Sequence, residues 1–187
     1  MSKRWIAIIG SSRKGKNSET LVDYIAEVLK EYDIEVDKFV IPQKLTGCNG
    51  CEYCIDHGVC HIDDEMNSWM KQMNIVDGYI FVSPVYNYTV SGQMKIFLDR
   101  TFCLNDYSDG WESRLSKGKK AIFAAVAISK HSDTLNQTIG TMQVAIEELG
   151  VESIETITYC NTKQLPVWDN NQIKSELKEH LSQHFGK

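Results

Sequence analysis

The sequence has no long hydrophobic run and no excess of positive charge. Its longest apolar run, residues 121–128, has eight residues, far short of the roughly 20 that span a bilayer. The apolar stretch at residues 5–9 is too short for a secretory signal. The formal net charge is −5, whereas nucleic acids and anionic membranes attract basic proteins. We therefore expect a cytoplasmic protein with neither a nucleic-acid partner nor a membrane partner.

Internal repeats, low-complexity tracts and domain linkers are also lacking. Since 187 residues can bury a core without additional staples, we expect one domain that covers residues 1–187. The histidines are scattered and form no hydrolytic constellation with nucleophilic residues. Disulfides are disfavoured in the cytoplasm, so the six cysteines indicate metal binding, redox chemistry or packing.

Apolar runs and amphipathic segments alternate along the chain. The runs predict strands at residues 4–9, 34–40, 79–82, 121–128 and 153–159. Helical periodicity predicts helices at residues 18–31, 65–73, 91–103, 134–149 and 172–184. This alternation predicts an α/β three-layer sandwich with a five-stranded parallel sheet of order 2-1-3-4-5. Ligands of such sheets bind beyond the carboxyl ends of the strands, here where the order reverses between strands one and three.

The loop after the first predicted strand suits an anion. Residues 10–18 (the first loop) offer hydroxyls, an amide, two glycines and three cations before a helix begins. Backbone N–H groups at a helix N-terminus attract phosphate. The loop lacks the G-x-G-x-x-G pattern of dinucleotide sites, so a single terminal phosphate fits better. A solvated basic turn that only caps the helix is the alternative.

The loop after the third predicted strand suits a flat ring. Residues 83–92 (the second loop) combine the aromatic faces of Tyr86 and Tyr88 with a stiffening proline and backbone amides. An isoalloxazine ring needs an apolar wall and N–H donors at its polar edge. The alternative is that both tyrosines are ordinary loop residues.

Four cysteines lie within thirteen residues in the pattern C-x2-C-x2-C-x5-C, inside residues 47–61 (the cysteine loop). They are Cys48, Cys51, Cys54 and Cys60. Thiolates at such spacing can hold a [4Fe–4S] cluster. They can also bind zinc, with His57 or His61 as substitutes, or remain free thiols. Glycines in the loop favour the cluster, because they let the backbone curl around a ligand.

These motifs together resemble the NADPH-dependent FMN reductase family of flavodoxin-like proteins. The resemblance runs from residue 4 to residue 160 and rests on Gly10-Ser11-x-Arg13-Lys14, Asn17-Ser18, Pro84-x-Tyr86 and Lys95-x-x-x-Asp99-Arg100. The cysteine pattern followed by Asp63-Asp64 resembles the iron–sulfur flavoprotein branch, and also cluster-free flavin oxidoreductases. The resemblance implies a flavodoxin-like fold, noncovalent FMN, and a homodimer or homotetramer.

The resemblance also assigns residues. Those that match the phosphate loop of the family are Ser11, Arg13, Asn17 and Ser18, and those that match its flavin-ring loop are Pro84, Val85, Tyr86 and Asn87. Ser12 stands where the family usually has proline, and it can still donate a hydrogen bond. Residues 129–131 lack the glycines that often lie beside the flavin. We expect Lys95, Asp99 and Arg100 to have a structural role near a dimer contact.

The expected function is that of an FMN-dependent NAD(P)H oxidoreductase. It would pass electrons from reduced nicotinamide or a carrier to a small acceptor such as a quinone, a flavin or an oxygen species, with or without a [4Fe–4S] cluster. The flavin carries the chemistry, so no catalytic side chain is expected. The alternative is an electron carrier with little turnover, between ferredoxin and a partner enzyme.

Overall fold

The computed structural model describes residues 2–108, 110–129 and 132–185. Its strands are β1 (Lys3–Ile9), β2 (Ile34–Val40), β3 (Gly78–Pro84), β4 (Asn105–Asp106), β5 (Glu112–Ser113), β6 (Lys120–Val126) and β7 (Glu152–Tyr159). The five long strands form one parallel sheet in the order β2-β1-β3-β6-β7. Because β6 and β7 are the fourth and fifth long strands, the predicted sheet order is confirmed.

Helices cover both faces of this sheet, as predicted. They are α1 (Asn17–Lys30), α2 (Tyr53–His57), α3 (Glu65–Ile75), α4 (Gly92–Arg100), α5 (Ser132–Glu147) and α6 (Ile173–Phe185). Helices α1 and α6 pack on one face, and α3, α4 and α5 pack on the other. Successive side chains of β1 alternate between the two cores: Ile6 and Ile8 face the second group, while Ala7 and Ile9 face the first.

Three segments differ from the sequence prediction. Helix α4 ends at Arg100, and a 3-10 turn, Thr101–Leu104, replaces its predicted last turn. The connection between α4 and β6, for which the sequence predicted neither helix nor strand, contains the β4–β5 hairpin. The cysteine loop contains the short helix α2. Both elements are too short to produce a periodic pattern, and the hairpin is held by local contacts such as the 3.0 Å ion pair between Arg114 and Asp106.

Among the described residues, no helix is both long enough and apolar enough to cross a membrane.

The buried phenol of Tyr79 should make the fold sensitive to alkaline pH. Its hydroxyl donates a hydrogen bond to the Met73 carbonyl, and burial raises the pKa of Tyr79 above its ordinary value of 10. The folded state therefore favours the protonated phenol. This contribution to stability is complete below pH 10 and is lost as the pH rises beyond it.

We expect Tyr79→Phe to cost about 1 kcal/mol at neutral pH through the lost hydrogen bond. The variant should then lose less stability than the wild type between neutral pH and about pH 11.5. Urea unfolding across this range measures both effects, with Tyr32→Phe on the opposite face as the control. Equal pH slopes in Tyr79→Phe and the wild type would contradict the prediction.

Candidate functional site

The first and second loops meet at the carboxyl edge of the sheet. The Gly10 N–H donates to the Val82 carbonyl of β3 at 2.8 Å. The Ser91 hydroxyl donates to the Gly10 carbonyl at 2.5 Å and accepts from the Met94 N–H at 3.1 Å, which caps α4. The end of β1, the end of β3 and the start of α4 are thereby fixed to one another.

Gly10 is required for this close approach. A Cβ atom there would lie 2.8 Å from the Met94 Cβ and 2.9 Å from the Ser91 hydroxyl oxygen. Neither of these atoms is the end of a flexible side chain. The glycine therefore lets α4 pack directly against the start of the first loop.

The first loop presents an open helix N-terminus flanked by hydroxyls. The N-cap position of α1 is Lys16, whose side chain makes no capping hydrogen bond. Ser11 and Ser18 are buried beside it. Ser12 is half-buried and Arg13 is exposed. The backbone N–H groups of this turn remain available to an anion, together with the positive end of the helix dipole.

Asn17 has a role that its sequence position did not indicate. Its side-chain oxygen accepts a hydrogen bond from the Val167 N–H at 2.8 Å. The neighbouring Trp168 ring lies 5.4 Å from the Lys16 ammonium, a cation–π contact. Asn17 therefore fastens a C-terminal segment against the first loop. Two residues 150 positions apart carry no local pattern that could have predicted this contact.

The second loop contains a tight turn, and the protein itself occupies some of its backbone amides. The backbones of Tyr86 and Thr89 exchange hydrogen bonds of 2.9 and 3.2 Å. Asn87 and Tyr88 between them have positive φ values of 46° and 72°, as in a type I′ turn. The Val85 N–H donates to the Val126 carbonyl at 2.8 Å.

The Val85 and Tyr86 amides are thus used by the protein itself. Within the described residues, the N–H groups of Asn87 and Tyr88 make no backbone hydrogen bond. Pro84 is buried as the last residue of β3, while the Tyr86 ring is 44% exposed and offers a face to a ligand. In the connection between β6 and α5, Ile128 is exposed, and residues 130–131 lie outside the described residues.

The four cysteines of the cysteine loop line one cavity of about 430 Å³. Burial, and then the nearby Cys60, Cys48 and Cys51, raise the pKa of the Cys54 thiol. Gly50 and Gly58 have positive φ values of 68° and 67°, which curl the loop as expected from its glycines. Within the described ranges, no three ligand-type side chains converge closely enough to hold a metal ion.

Two further features belong to this cavity. The buried thiol of Cys103, which follows α4, also lines it, and burial raises the pKa of Cys103 to about 11. The Cys51 sulfur lies 3.1 Å from the His61 Nδ1. His57 instead stacks on Tyr53, with ring centroids 3.9 Å apart. Of the two candidate histidines, only His61 therefore points toward the cysteines.

Arg100, for which we expected a structural role near a dimer contact, is buried beside the cysteine cavity. Its side chain is 1% exposed and forms an ion pair with Asp64 at 2.5 Å. Burial opposes the charge, but the hydrogen bond to Asp64 and the nearby Cys60 outweigh it and raise the pKa of Arg100. Lys95 and Asp99, by contrast, form an exposed pair one turn apart on α4. The three residues therefore do not act together.

This donor set fits an iron–sulfur cluster in composition. Four thiols line one cavity, and in the described part of the chain the Nε–H of Arg100 is buried without a hydrogen-bond partner. Sulfide and thiolate sulfurs accept hydrogen bonds of this kind in iron–sulfur sites. The first loop likewise fits a phosphate in composition, since it offers buried hydroxyls and the N–H groups of the uncapped first turn of α1. The Gly15 N–H of the same loop already donates to the Glu19 carboxylate at 2.7 Å.

Comparison with known proteins places these loops in a family. The family model for NADPH-dependent FMN reductase matches residues 4–161. An iron-sulfur flavoprotein of Methanosarcina thermophila is 37% identical over 98 residues, which are 52% of this chain and 51% of that protein. One from Archaeoglobus fulgidus is 29% identical over 147 residues, covering 77% of this chain and 68% of that protein. The chain spans about half the length of several such relatives.

Solved structures share the fold at low sequence identity. A NAD(P)H:quinone oxidoreductase from Methanothermobacter marburgensis superposes with a TM-score of 0.72 and 10% identity, and the match covers 100% of both chains. An FMN-dependent NADH-azoreductase from Bacillus anthracis, in complex with FMN, has a TM-score of 0.66 and 16% identity, again over 100% of both chains. The flavodoxin-like fold expected from the sequence is thereby confirmed.

Proposed function

Since this chain belongs to the NADPH-dependent FMN reductase family, we propose that it is an FMN-dependent NAD(P)H oxidoreductase. Its electrons pass to a small acceptor such as a quinone, a flavin or an oxygen species, and a [4Fe–4S] cluster takes part. The observation that carries the proposal is the junction of the first and second loops through Gly10 and Ser91. In this proposal the phosphate-binding loop and the ring-binding turn lie side by side at the reversal point of the sheet.

The first loop holds the FMN phosphate in this proposal. The uncapped N–H groups of α1 and the hydroxyls of Ser11, Ser12 and Ser18 donate to it, and Arg13 supplies a compensating charge. Asn17 supports the loop through its bond to Val167. Because phosphate is bound by fixed backbone donors, the protein orients the cofactor before any electron donor arrives.

The second loop holds the ring. The Asn87 and Tyr88 amides donate to its polar edge, the Tyr86 ring covers a face, and Pro84 with Val85 fixes the start of the turn. Bound FMN supplies the capacity to take an electron pair from nicotinamide and to release electrons singly or in pairs. The protein's contribution is binding, orientation and exclusion of water from one face of the site.

The cysteine loop holds the cluster, with Cys48, Cys51, Cys54 and Cys60 as its ligands. A bound cluster supplies single-electron transfer. Support comes from the shared cavity, from the unpartnered Arg100 Nε–H and from relatives that are iron-sulfur flavoproteins. Zinc binding and free thiols are the competing states of the same cysteines.

The absorption spectrum of protein purified without oxygen tests the proposal. We expect flavin bands on a broad brown absorption that dithionite bleaches, with about four iron atoms per chain. Flavin bands alone would remove the cluster from the proposal and leave the oxidoreductase. Protein that carries no FMN and takes none up would overturn the proposal as a whole.

A non-turnover electron carrier between ferredoxin and a partner enzyme is the second candidate. It is favoured by the cysteine cavity, because a one-electron centre suits exchange with another one-electron protein. Steady-state oxidation of NADH and NADPH with an added quinone separates the two functions. The oxidoreductase turns over under these conditions, whereas the carrier shows almost no activity. We further propose a homodimer or homotetramer in the cytoplasm as the working form.

A further inference from the structure

Arg100 is a buried charge whose hydrogen bonds all lead to the cysteine loop and its flanks. Two of them go to the Asp64 carboxylate, from Nη1 at 2.5 Å and from Nη2 at 3.0 Å. Asp64 also caps α3 by accepting from the Asn67 N–H at 3.2 Å. The pair therefore links α4, which carries Arg100, to the start of α3 immediately after the cysteines.

The same guanidinium contacts both ends of the cysteine loop. Nη1 donates to the Thr46 carbonyl at 3.4 Å, two residues before Cys48. Nη2 donates to the Ile62 carbonyl at 3.3 Å, two residues after Cys60. Because a guanidinium is planar and rigid, it sets the separation of these two backbone segments. A lysine ammonium could not make this set of contacts with fixed geometry.

One N–H of Arg100 remains without a protein acceptor. Its Nε is buried and has no hydrogen-bond partner, although nearly all buried donors in folded proteins are satisfied. Arg100 lines the cavity together with the four cysteines, and, against the opposing effect of burial, the Cys60 thiol lies near enough to the guanidinium to raise its pKa through charge and hydrogen bonding. A sulfur atom bound in the cavity would supply the acceptor that the protein lacks.

We propose that Arg100 is a positioning residue for the cysteine site, which clamps both ends of the cysteine loop and directs its Nε–H to a sulfur of the bound cluster. This inference rests on the cluster of the proposed function. It assigns two effects to one side chain. The clamp holds Cys48 and Cys60 at a fixed separation, and the positive charge with its hydrogen bond favours the reduced cluster, which raises its reduction potential.

The test compares Arg100→Lys, Arg100→Gln and the double variant Arg100→Gln/Asp64→Asn. The double variant leaves no unpaired carboxylate, and asparagine keeps the capping oxygen of α3, so it folds even if Arg100→Gln does not. Lys95→Gln removes the same charge from the exposed side of α4 and serves as the control. Three quantities are measured: iron and sulfide per chain after anaerobic reconstitution, the cluster reduction potential, and cysteine alkylation rates in metal-free protein.

We expect both glutamine variants to retain less iron and to alkylate Cys48 and Cys60 about tenfold faster, because the loop ends are released. In the cluster that remains, the equilibrium constant for reduction should fall about tenfold. This corresponds to a reduction potential lower by about 59 mV for one electron. Arg100→Lys should leave the reduction potential close to that of the wild type, because the positive charge is kept. It should still retain less iron, because lysine lacks the planar guanidinium that contacts both ends of the cysteine loop. Lys95→Gln should match the wild type in every measurement.

The outcomes separate this inference from the proposed function. If the wild type binds iron and the double variant matches it in iron, potential and alkylation, the role of Arg100 is wrong and the cluster stands. If the wild type binds no iron, both the cluster and the proposed contact between the Arg100 Nε–H and a cluster sulfur are wrong. The alkylation rates then decide the clamp alone, and equal rates in the wild type and the double variant overturn it.

Discussion

We expect FMN to bind at least about a hundredfold more weakly when Ser11 and Ser18 are both replaced by alanine, while the affinity for riboflavin stays unchanged. Hydrogen bonds to a charged group contribute about 1.5–3 kcal/mol each, and two of them correspond to this factor or more. Both hydroxyls can act as donors. The Ser11 oxygen accepts only a long bond of 3.4 Å from Arg13, and Ser18 lies buried in the uncapped first turn of α1.

Riboflavin makes this result specific, because it has the same ring and no phosphate. Titrations of the metal-free apoprotein with both ligands, followed by flavin fluorescence, give the two affinities. Ser182→Ala on α6, outside both loops, is the matched control, since its hydroxyl bonds only to the Glu179 carbonyl at 2.8 Å. An equal loss of riboflavin affinity would show that the serines support the ring or the fold, and the phosphate assignment would then be wrong.

Gly78→Ala should destabilise the fold by about 3 kcal/mol, the upper part of the range for overpacked cores. A Cβ at this position would lie 2.4 Å from the Trp5 Cε2 and 2.7 Å from two other atoms of the same ring. Trp5 is 2% exposed and its ring packs edge-on against Phe185 with centroids 5.7 Å apart. The ring therefore cannot move aside without disturbing the contact between the sheet and α6.

For a chain of this length the effect corresponds to a melting temperature lower by roughly 6–12 °C. Gly140→Ala is the control, because its expected effect on the free energy of unfolding has the opposite sign. Gly140 lies inside α5, and a Cβ there would meet no atom within 4 Å, so alanine should stabilise by about 0.5–1 kcal/mol. Thermal unfolding of both variants beside the wild type measures this contrast. A Gly78→Ala protein as stable as the wild type would contradict the predicted clash.

The strands and their order could be predicted because burial on both faces leaves continuous apolar runs, as in β3 and β6. Topology then placed the first and second loops at one edge. The occupancy of their amides could not be predicted, because the Val85 N–H is used by Val126 on a neighbouring strand. The position of Asp64 before an amphipathic segment is typical of a helix N-cap, and Asp64 does cap α3. Only the tertiary structure shows that it also pairs with the charge of Arg100.

The bond between Asn17 and Val167 has a consequence for how the protein acquires its cofactor. Closing a loop of 150 residues carries a large entropic cost that is recovered only when the surrounding core is already packed. We therefore expect the first loop to reach its final shape late in folding, after the segment that follows β7 has left the ribosome and docked. Nascent chains that end before Val167 should therefore bind no flavin. Flavin binding would then report that the chain has completed folding.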